Sequence, residues 1–229
     1  MSSKLIIALD FPSSSQALNF IEPLSPHLCR LKVGFELFIS AGPDFVKKLV
    51  DKGFDVFLDL KFHDIPNTVA AACRSASNLG VWMMNVHASG GMKMMVEAKK
   101  ALVDCQSSAK LIAVTVLTSI DQDQLLATNI THSPEDQVNH LANLTMKSGL
   151  GGVVCSAQES IELRKQLGDD FLLVTPGIRP KGVAAGDQQR VMTPLEAKLA
   201  GVSYIVVGRP ITQAANPISV IEAINADMH

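Results

Sequence analysis

A chain of 229 residues can bury one large core, and with 47% apolar and 18% charged residues it describes a compact globule rather than a disordered segment. A formal net charge of −2, an isoelectric point near 6.3 and no Lys/Arg run along a helical stripe argue against nucleic acid as a partner. The longest apolar runs, such as Leu5 to Leu9, stop far short of the roughly 18 residues of a membrane helix, and Asp10 closes that run too early for a secretory signal, so the expected location is the cytoplasm with no membrane partner.

In chain order, short apolar or β-branched runs predict eight strands: Lys4–Asp10, Leu28–Gly34, Asp55–Lys61, Trp82–Ala88, Lys110–Thr118, Gly152–Ala157, Phe171–Gly177 and Tyr204–Arg209. Amphipathic stretches such as Phe45–Gly53 and Met92–Asp104 lie between them, and "SVIEAI" near the C-terminus closes the alternation. Near-continuous apolar strands alternating with helices imply a parallel sheet covered by helices. Eight such units in this length fit an α/β fold made of a single (β/α)8 TIM barrel over residues 1–229 better than an open doubly wound sheet. Four cysteines, Cys29, Cys73, Cys105 and Cys155, are widely spaced with no C-x-x-C pair, and they read as reduced, mostly buried packing residues.

The barrel reading can be checked within the sequence, because active sites of this fold gather beyond the C-terminal ends of the strands. Polar residues do cluster there: Asp10 on strand 1, Lys32 on strand 2, Asp59 and Lys61 on strand 3, His87 on strand 4, Thr118 and Ser119 on strand 5, Gly208 and Arg209 on strand 8. The strand beginnings show no comparable set. Any one of these residues could be a solvated loop residue, but six strand ends together point to a site.

The centre of that site is "DLKFHDIPNT", Asp59 to Thr68. Residues i and i+2 of a strand share a face, so Asp59 and Lys61 are expected to project together toward the barrel mouth, with Asp64 following on the loop. A surface ion pair would contribute little. Asp59, however, stands deep in an apolar strand, where an unpaired charge is costly, so an array of carboxylate, ammonium and carboxylate is a way to keep all three ionised. The array also selects a mechanism. A Schiff-base lysine needs a lowered pKa, whereas two carboxylates keep Lys61 an ammonium, suited to act as a general acid where negative charge develops.

After strand 7, the stretch Pro176–Arg190 is rich in glycine and carries two arginines and a lysine, and Arg209 stands at the end of strand 8. The loops after strands 7 and 8 are where barrels of this fold often grip phosphate. His63 and His87 read as hydrogen-bonded structure rather than catalysts. The six histidines never fall at H-x-H or H-x-x-x-H spacing, and the clustered carboxylates are matched by lysines, so a metal-free site is expected.

The motif D-x-K-x-x-D-I-P-N-T resembles the signature of the orotidine 5′-phosphate decarboxylase family, in its bacterial branch. The resemblance extends through "IIALD", "LKVG", "VHASGG", "VTVLTS", "TPGIRP" and "VVGRPI", nearly the whole chain. It implies that Lys61 protonates C6 of the pyrimidine of orotidine 5′-phosphate, that Asp59 lies beside the departing carboxylate, and that Asp64 reaches in from the partner subunit of a homodimer with shared active sites. It further implies that Asp10 and Lys32 hold the ribose hydroxyls and complete the charge array, and that Thr118 or Ser119 meets the pyrimidine. Arg179, Gln188, Gly208 and Arg209 would surround the phosphate, with Pro176 at the head of their loop, and Ile65 and Thr68 would line the site from the partner chain. No cofactor is implied. Two rivals remain: a magnesium-dependent barrel of the keto-gulonate phosphate decarboxylase kind, which would need a further carboxylate at the mouth, where Glu36 is expected to lie in the following helix; and a non-catalytic nucleotide-binding barrel, which would have no use for the Asp-Lys-Asp array.

Overall fold

The computed structural model describes residues 3–180 and 192–229, and Gln188 lies outside the described residues. Eight parallel strands close into a barrel in sequence order: β1 (Leu5–Ala8), β2 (Arg30–Val33), β3 (Val56–Phe62), β4 (Met83–His87), β5 (Lys110–Val114), β6 (Gly152–Val154), β7 (Leu172–Thr175) and β8 (Tyr204–Val207). The seam is made by β1 and β8, with Leu5 opposite Ile205 and Ile7 opposite Val207. Helices α1 (Ser14–Ile21), α2 (Phe35–Asp51), α3 (Pro66–Ser77), α4 (Gly91–Asp104), α5 (Gln122–Ala127), α6 (Pro134–Lys147), α7 (Ala157–Leu167), α8 (Pro194–Leu199), α9 (Arg209–Thr212) and α10 (Pro217–Met228) follow the strands in turn. The expected (β/α)8 barrel is therefore the observed one.

The two-residue period of each strand sorts its side chains between two cores. Ile6, Ala8, Phe57, Met83, Ile112, Val174 and Val206 point into the barrel, while Leu5, Ile7, Leu31, Val33, Val56 and Leu58 pack outward beneath the helices. A strand with both faces buried must be apolar throughout, which is why the runs in the sequence are nearly continuous. Each fully buried Leu, Ile or Phe contributes roughly 1.5–3 kcal/mol.

Helix starts follow local chemistry. The Ser13 and Asp121 side chains accept hydrogen bonds from the backbone N–H groups of Gln16 and Gln124, and Thr193 forms a reciprocal capping box with Glu196. Proline takes the first turn of α3, α6, α8 and α10, where its missing N–H has no cost. Helix α2 is broken at Gly42, whose φ of +72° suits glycine, and Pro43 restarts it, so the amphipathic run from Phe45 is only its second half.

Several strands are shorter at their C-terminal ends than the apolar pattern predicts. Residues 115–118 leave the sheet after β5, Ala157 opens α7 rather than ending β6, and Arg209 opens α9 rather than ending β8. The cause for β6 is visible: the Ser156 backbone N–H donates to Glu159 Oε2 at 2.8 Å and starts the helix. At the opposite end, the Arg30 guanidinium lies 4.5 Å from the Trp82 ring and 5.0 Å from the Tyr204 ring, and its Nε pairs with Asp55 at 3.1 Å, plugging the barrel from below. No helix among the described residues is long and apolar enough to cross a membrane.

Candidate active site

A cavity of about 530 Å³ opens at the C-terminal mouth of the barrel. Its floor is apolar, built from Ala8, Phe57, Val114, Val154 and Val206. One wall, at the ends of β1 to β3, carries Asp10, Lys32, Asp59 and Lys61, and a second, at the ends of β7 and β8, carries Pro176, Gly177, Arg179, Gly208 and Arg209; the two meet where a Cβ on Gly208 would stand 3.5 Å from Asp10 Oδ2. Thr118 joins the lining, with Phe11, Thr212 and Gln213. A water-poor floor flanked by a few fixed charges is the usual composition of a small-molecule site.

The charged wall is a chain of alternating sign. Lys32 Nζ lies 3.6 Å from Asp10 Oδ1 and 3.2 Å from Asp59 Oδ2, and Lys61 Nζ lies 2.8 Å from Asp59 Oδ1. Gly34 makes room for this, since a Cβ there would stand 3.2 Å from Lys32 Nζ. Burial alone would push the Asp59 carboxyl up. The charges of Lys32 and Lys61 and hydrogen bonds from Lys61 and Asn85 outweigh it and hold the group below the usual carboxylate range. Asp10 is mostly exposed, so the enclosed part of the wall sets two ammonium groups against one carboxylate and carries an excess of positive charge.

The contact between Asp59 and Lys61 forms, although by a different route from the one that strand periodicity implies. Pairing of β3 with β4 passes from Leu58↔Met84 to Phe62↔Val86, so four steps on one strand match two on the other and the segment between them arches out of the ladder. Lys61 sits in this arch with φ +46°, a left-handed conformation costing a non-glycine residue roughly 1–2 kcal/mol. Its backbone N–H donates to Asn85 Oδ1 at 2.8 Å, and Asn85 Nδ2 donates to Asp59 Oδ1 at 2.7 Å. Its ammonium stands 5.1 Å from the centre of the Phe35 ring.

On the second wall, burial and the neighbouring Arg209 lower the pKa of Arg179, so two guanidinium groups converge where an anion would relieve their repulsion. Thr118 is half-buried against the cavity, whereas Ser119 is exposed and outside its lining. Asp64, Ile65 and Thr68 are exposed and also lie outside it, and Asp64 Oδ1 accepts from the Ile65 N–H at 2.6 Å rather than pairing with Lys61. Within one chain, then, the array is Asp10, Lys32, Asp59 and Lys61, without Asp64. Glu36 lies in the first turn of α2 and is exposed.

His63 and His87 face each other with ring centroids 5.6 Å apart, outside the cavity lining, and burial lowers the His87 pKa with help from His63 and Lys61. Cys155 reaches the lining, but burial pushes its thiol up to about 12, which leaves it un-ionised and inert at neutral pH. Sequence reasoning missed Asn85, Phe35 and Gln213. A signal for Asn85 was present: an amide in the middle of "WMMNVH" is a polar group in a buried strand and must have partners.

A parallel (β/α)8 barrel with a charged cavity at the C-terminal mouth defines the class of barrel proteins whose chemistry is carried on the loops after the strands. Within that class the sequence profile of the orotidine 5′-phosphate decarboxylase / HUMPS family matches residues 3–224, and the chain belongs to this family. The orotidine 5′-phosphate decarboxylase of Pseudoalteromonas atlantica is 57% identical over 226 residues, covering 98% of each chain, and that of Haemophilus ducreyi is 57% identical over 229 residues, covering 100% of each. A crystal structure of orotidine 5′-phosphate decarboxylase from Lactobacillus acidophilus matches with a TM-score of 0.90 at 43% identity, covering 100% of both chains.

Proposed function

We propose that this chain is a carboxy-lyase that converts orotidine 5′-phosphate to UMP and CO₂ in de novo pyrimidine synthesis, in the cytoplasm, with the whole chain acting as one catalytic domain. The observation that carries the reading is the Asp10–Lys32–Asp59–Lys61 array lining one cavity with Arg179 and Arg209, in a member of this family.

In this mechanism the phosphate binds Arg179 and Arg209, with Pro176, Gly208 and Gln188 beside it, and its binding energy fixes the ring over the charged wall. Asp10 and Lys32 take the ribose hydroxyls, and Thr118 the pyrimidine. The bond from C6 to the carboxylate breaks with its electron pair left on C6, releasing CO₂. The excess positive charge on the wall stabilises that carbanion, and Lys61 Nζ then delivers a proton to C6, becoming a neutral amine that solvent reprotonates. Asp59, held ionised by its partners, holds Lys61 Nζ at 2.8 Å and stands beside the departing carboxylate. No metal or other cofactor is needed, because the positive charge at the reacting carbon comes from lysine.

The proposed protein works as a homodimer in which Asp64, Ile65 and Thr68 complete the partner's site. Exposed apolar side chains around β3 support this: Phe35 and Ile39 on the helix after β2, Ile65 just before the helix after β3, and Met92 and Val96 on the helix after β4. Ile39 is 80% exposed and Ile65 67%, a poor arrangement for side chains left in water.

Loss of orotidine 5′-phosphate absorbance on adding purified protein in EDTA tests the function. Turnover is expected; none would sink the reading, and turnover only with added magnesium would favour the metal-dependent rival. The shared site is tested by refolding Lys61→Ala and Asp64→Ala together. Random pairing makes about half the dimers mixed, each with one intact site, so activity should return to roughly a quarter of the parent value. A mixture that stays inactive although mixed dimers form would place Asp64 in its own chain's site.

A further inference from the structure

We infer that Asn85 is a positioning residue for the proton donor: its carboxamide clamps the backbone N–H of Lys61 and the carboxylate of Asp59 together, and so holds Lys61 in the strained conformation that aims its ammonium into the cavity. The inference rests on the reading of Lys61 as the acid of the proposed reaction.

The geometry allows Asn85 only one orientation. The Asp59 carboxylate can only accept a hydrogen bond and the Lys61 backbone N–H can only donate one, so the amide nitrogen must face Asp59 and the amide oxygen must face Lys61, at 2.7 Å and 2.8 Å. A single side chain thus spans both members of the acid pair. No other residue of similar size offers one donor and one acceptor on the same carbon. Aspartate would set a carboxylate against Asp59, serine and threonine are too short, and glutamine adds a methylene where Asn85 is 0% exposed.

The clamp also explains a backbone that is otherwise unsupported. Between Leu58 and Phe62 the β3–β4 register slips, and the Lys61 N–H bonds to a side chain of β4 instead of to its backbone. A non-glycine residue at φ +46° persists only where its surroundings over-determine it. Asn85 is itself fixed, because its neighbours Met84 and Val86 and its own backbone are in register with β5 at Leu111, Ala113 and Ile112. A residue embedded in the β4–β5 ladder is therefore the reference against which the arch of β3 is set.

The same hydrogen bond has an electrostatic consequence. Asp59 faces Lys32 from β2, Lys61 from its own strand and Asn85 from β4, with Asp10 just after β1 beyond Lys32 and His87 and His63 near Lys61. Asn85 favours the ionised carboxylate. Its loss raises the Asp59 pKa back toward the ordinary value, so the acid limb of activity moves to higher pH.

The experiment compares Asn85→Ala and Asn85→Asp with the parent enzyme. Both variants are expected to lose about a hundredfold in kcat, as for a catalytic group misplaced by about 1 Å, while KM and UMP affinity stay within about threefold. In both, the acid limb of kcat/KM should shift upward, and a crystal structure of Asn85→Ala should show Lys61 relaxed out of the left-handed region with Nζ drawn away from Asp59. A general loss of packing would weaken UMP binding and leave the acid limb in place, which would overturn the inference. So would kcat within threefold of the parent, or a variant structure with the Lys61 backbone and its contact to Asp59 unchanged. Where Asn85→Ala fails to fold, the isosteric Asn85→Asp carries the same kinetic and structural readouts. A parent protein that does not turn over orotidine 5′-phosphate refutes the proposed function instead, and the conformation of Lys61 in the variant structure still decides the clamp.

Discussion

Arg30 and Lys32 stand two residues apart on β2, both facing the barrel interior, one near its N-terminal end and the other at its C-terminal mouth. Arg30 is enclosed between the rings of Trp82 and Tyr204 and paired with Asp55, which reaches solvent. Lys32 shares the buried Asp59 with Lys61 and borders an open cavity. The lower cation is balanced by one carboxylate and two ring faces; the upper two compete for one enclosed carboxylate and leave positive charge directed at an open cavity. A (β/α)8 barrel can separate stability from chemistry in this way because its two ends are built from different loops. The choice of cation fits: a guanidinium stacks on flat rings and keeps its charge, whereas an ammonium is a compact donor that can give up a proton.

The contrast breaks most visibly at Lys61. Lys61→Ala is expected to lose on the order of 10⁴-fold or more in kcat, because in the proposed mechanism it removes both the proton donor and part of the charge that stabilises the carbanion. The fold should survive, since Lys32 still pairs with Asp59. Circular dichroism and a UMP assay check both halves; activity within tenfold of the parent would mean that another group supplies the proton.

A smaller effect is expected at Arg209, on the second wall of the cavity. Arg209→Ala should lower kcat/KM by about a hundredfold, divided between a higher KM and a lower kcat, because in the proposed mechanism the phosphate contact organises the reacting end as well as retaining substrate. A change in KM alone would show that the two walls act independently. Phosphite dianion added with a substrate truncated at the 5′ position should accelerate the parent more than the variant.

The barrel itself was legible because a strand buried on both faces must be apolar along its length, and eight such runs leave little freedom in topology. The strand ends were less so. Val116 and Leu117 continue the apolar pattern of β5 although they leave the sheet, since lining a cavity and lining a core require the same side chains. Asp59, Lys61 and Arg209 could be found because charges beside apolar runs demand a reason. The arch at Lys61 could not, because a register slip depends on the partner strand and leaves no mark on local periodicity. Asn85 fell between the two: its burial could be read, but its partners lie 24 and 26 residues away and only the closed barrel brings them together.

The smallest catalytic effect is expected at Arg30, and it is the control for the whole comparison. Arg30→Ala removes an ion pair and two ring contacts and opens a void below the barrel, for a loss of about 2–4 kcal/mol by the usual values for such contacts and cavities. For a domain of this size that lowers the melting temperature by about 5–15 °C. Arg30→Met keeps the stem packed between Trp82 and Tyr204, and Asp55 can turn to water, so this variant should lose less than half as much. Neither should change kcat/KM by more than about threefold, because the apolar layer of Phe57, Met83 and Ile112 separates Arg30 from the cavity wall and small repacking below it is absorbed there. Thermal melts and steady-state assays on the same samples check this. A folded Arg30→Ala protein with kcat reduced thirtyfold would show that the bottom of the barrel sets the geometry of the top, and the division between the two ends would have to be abandoned.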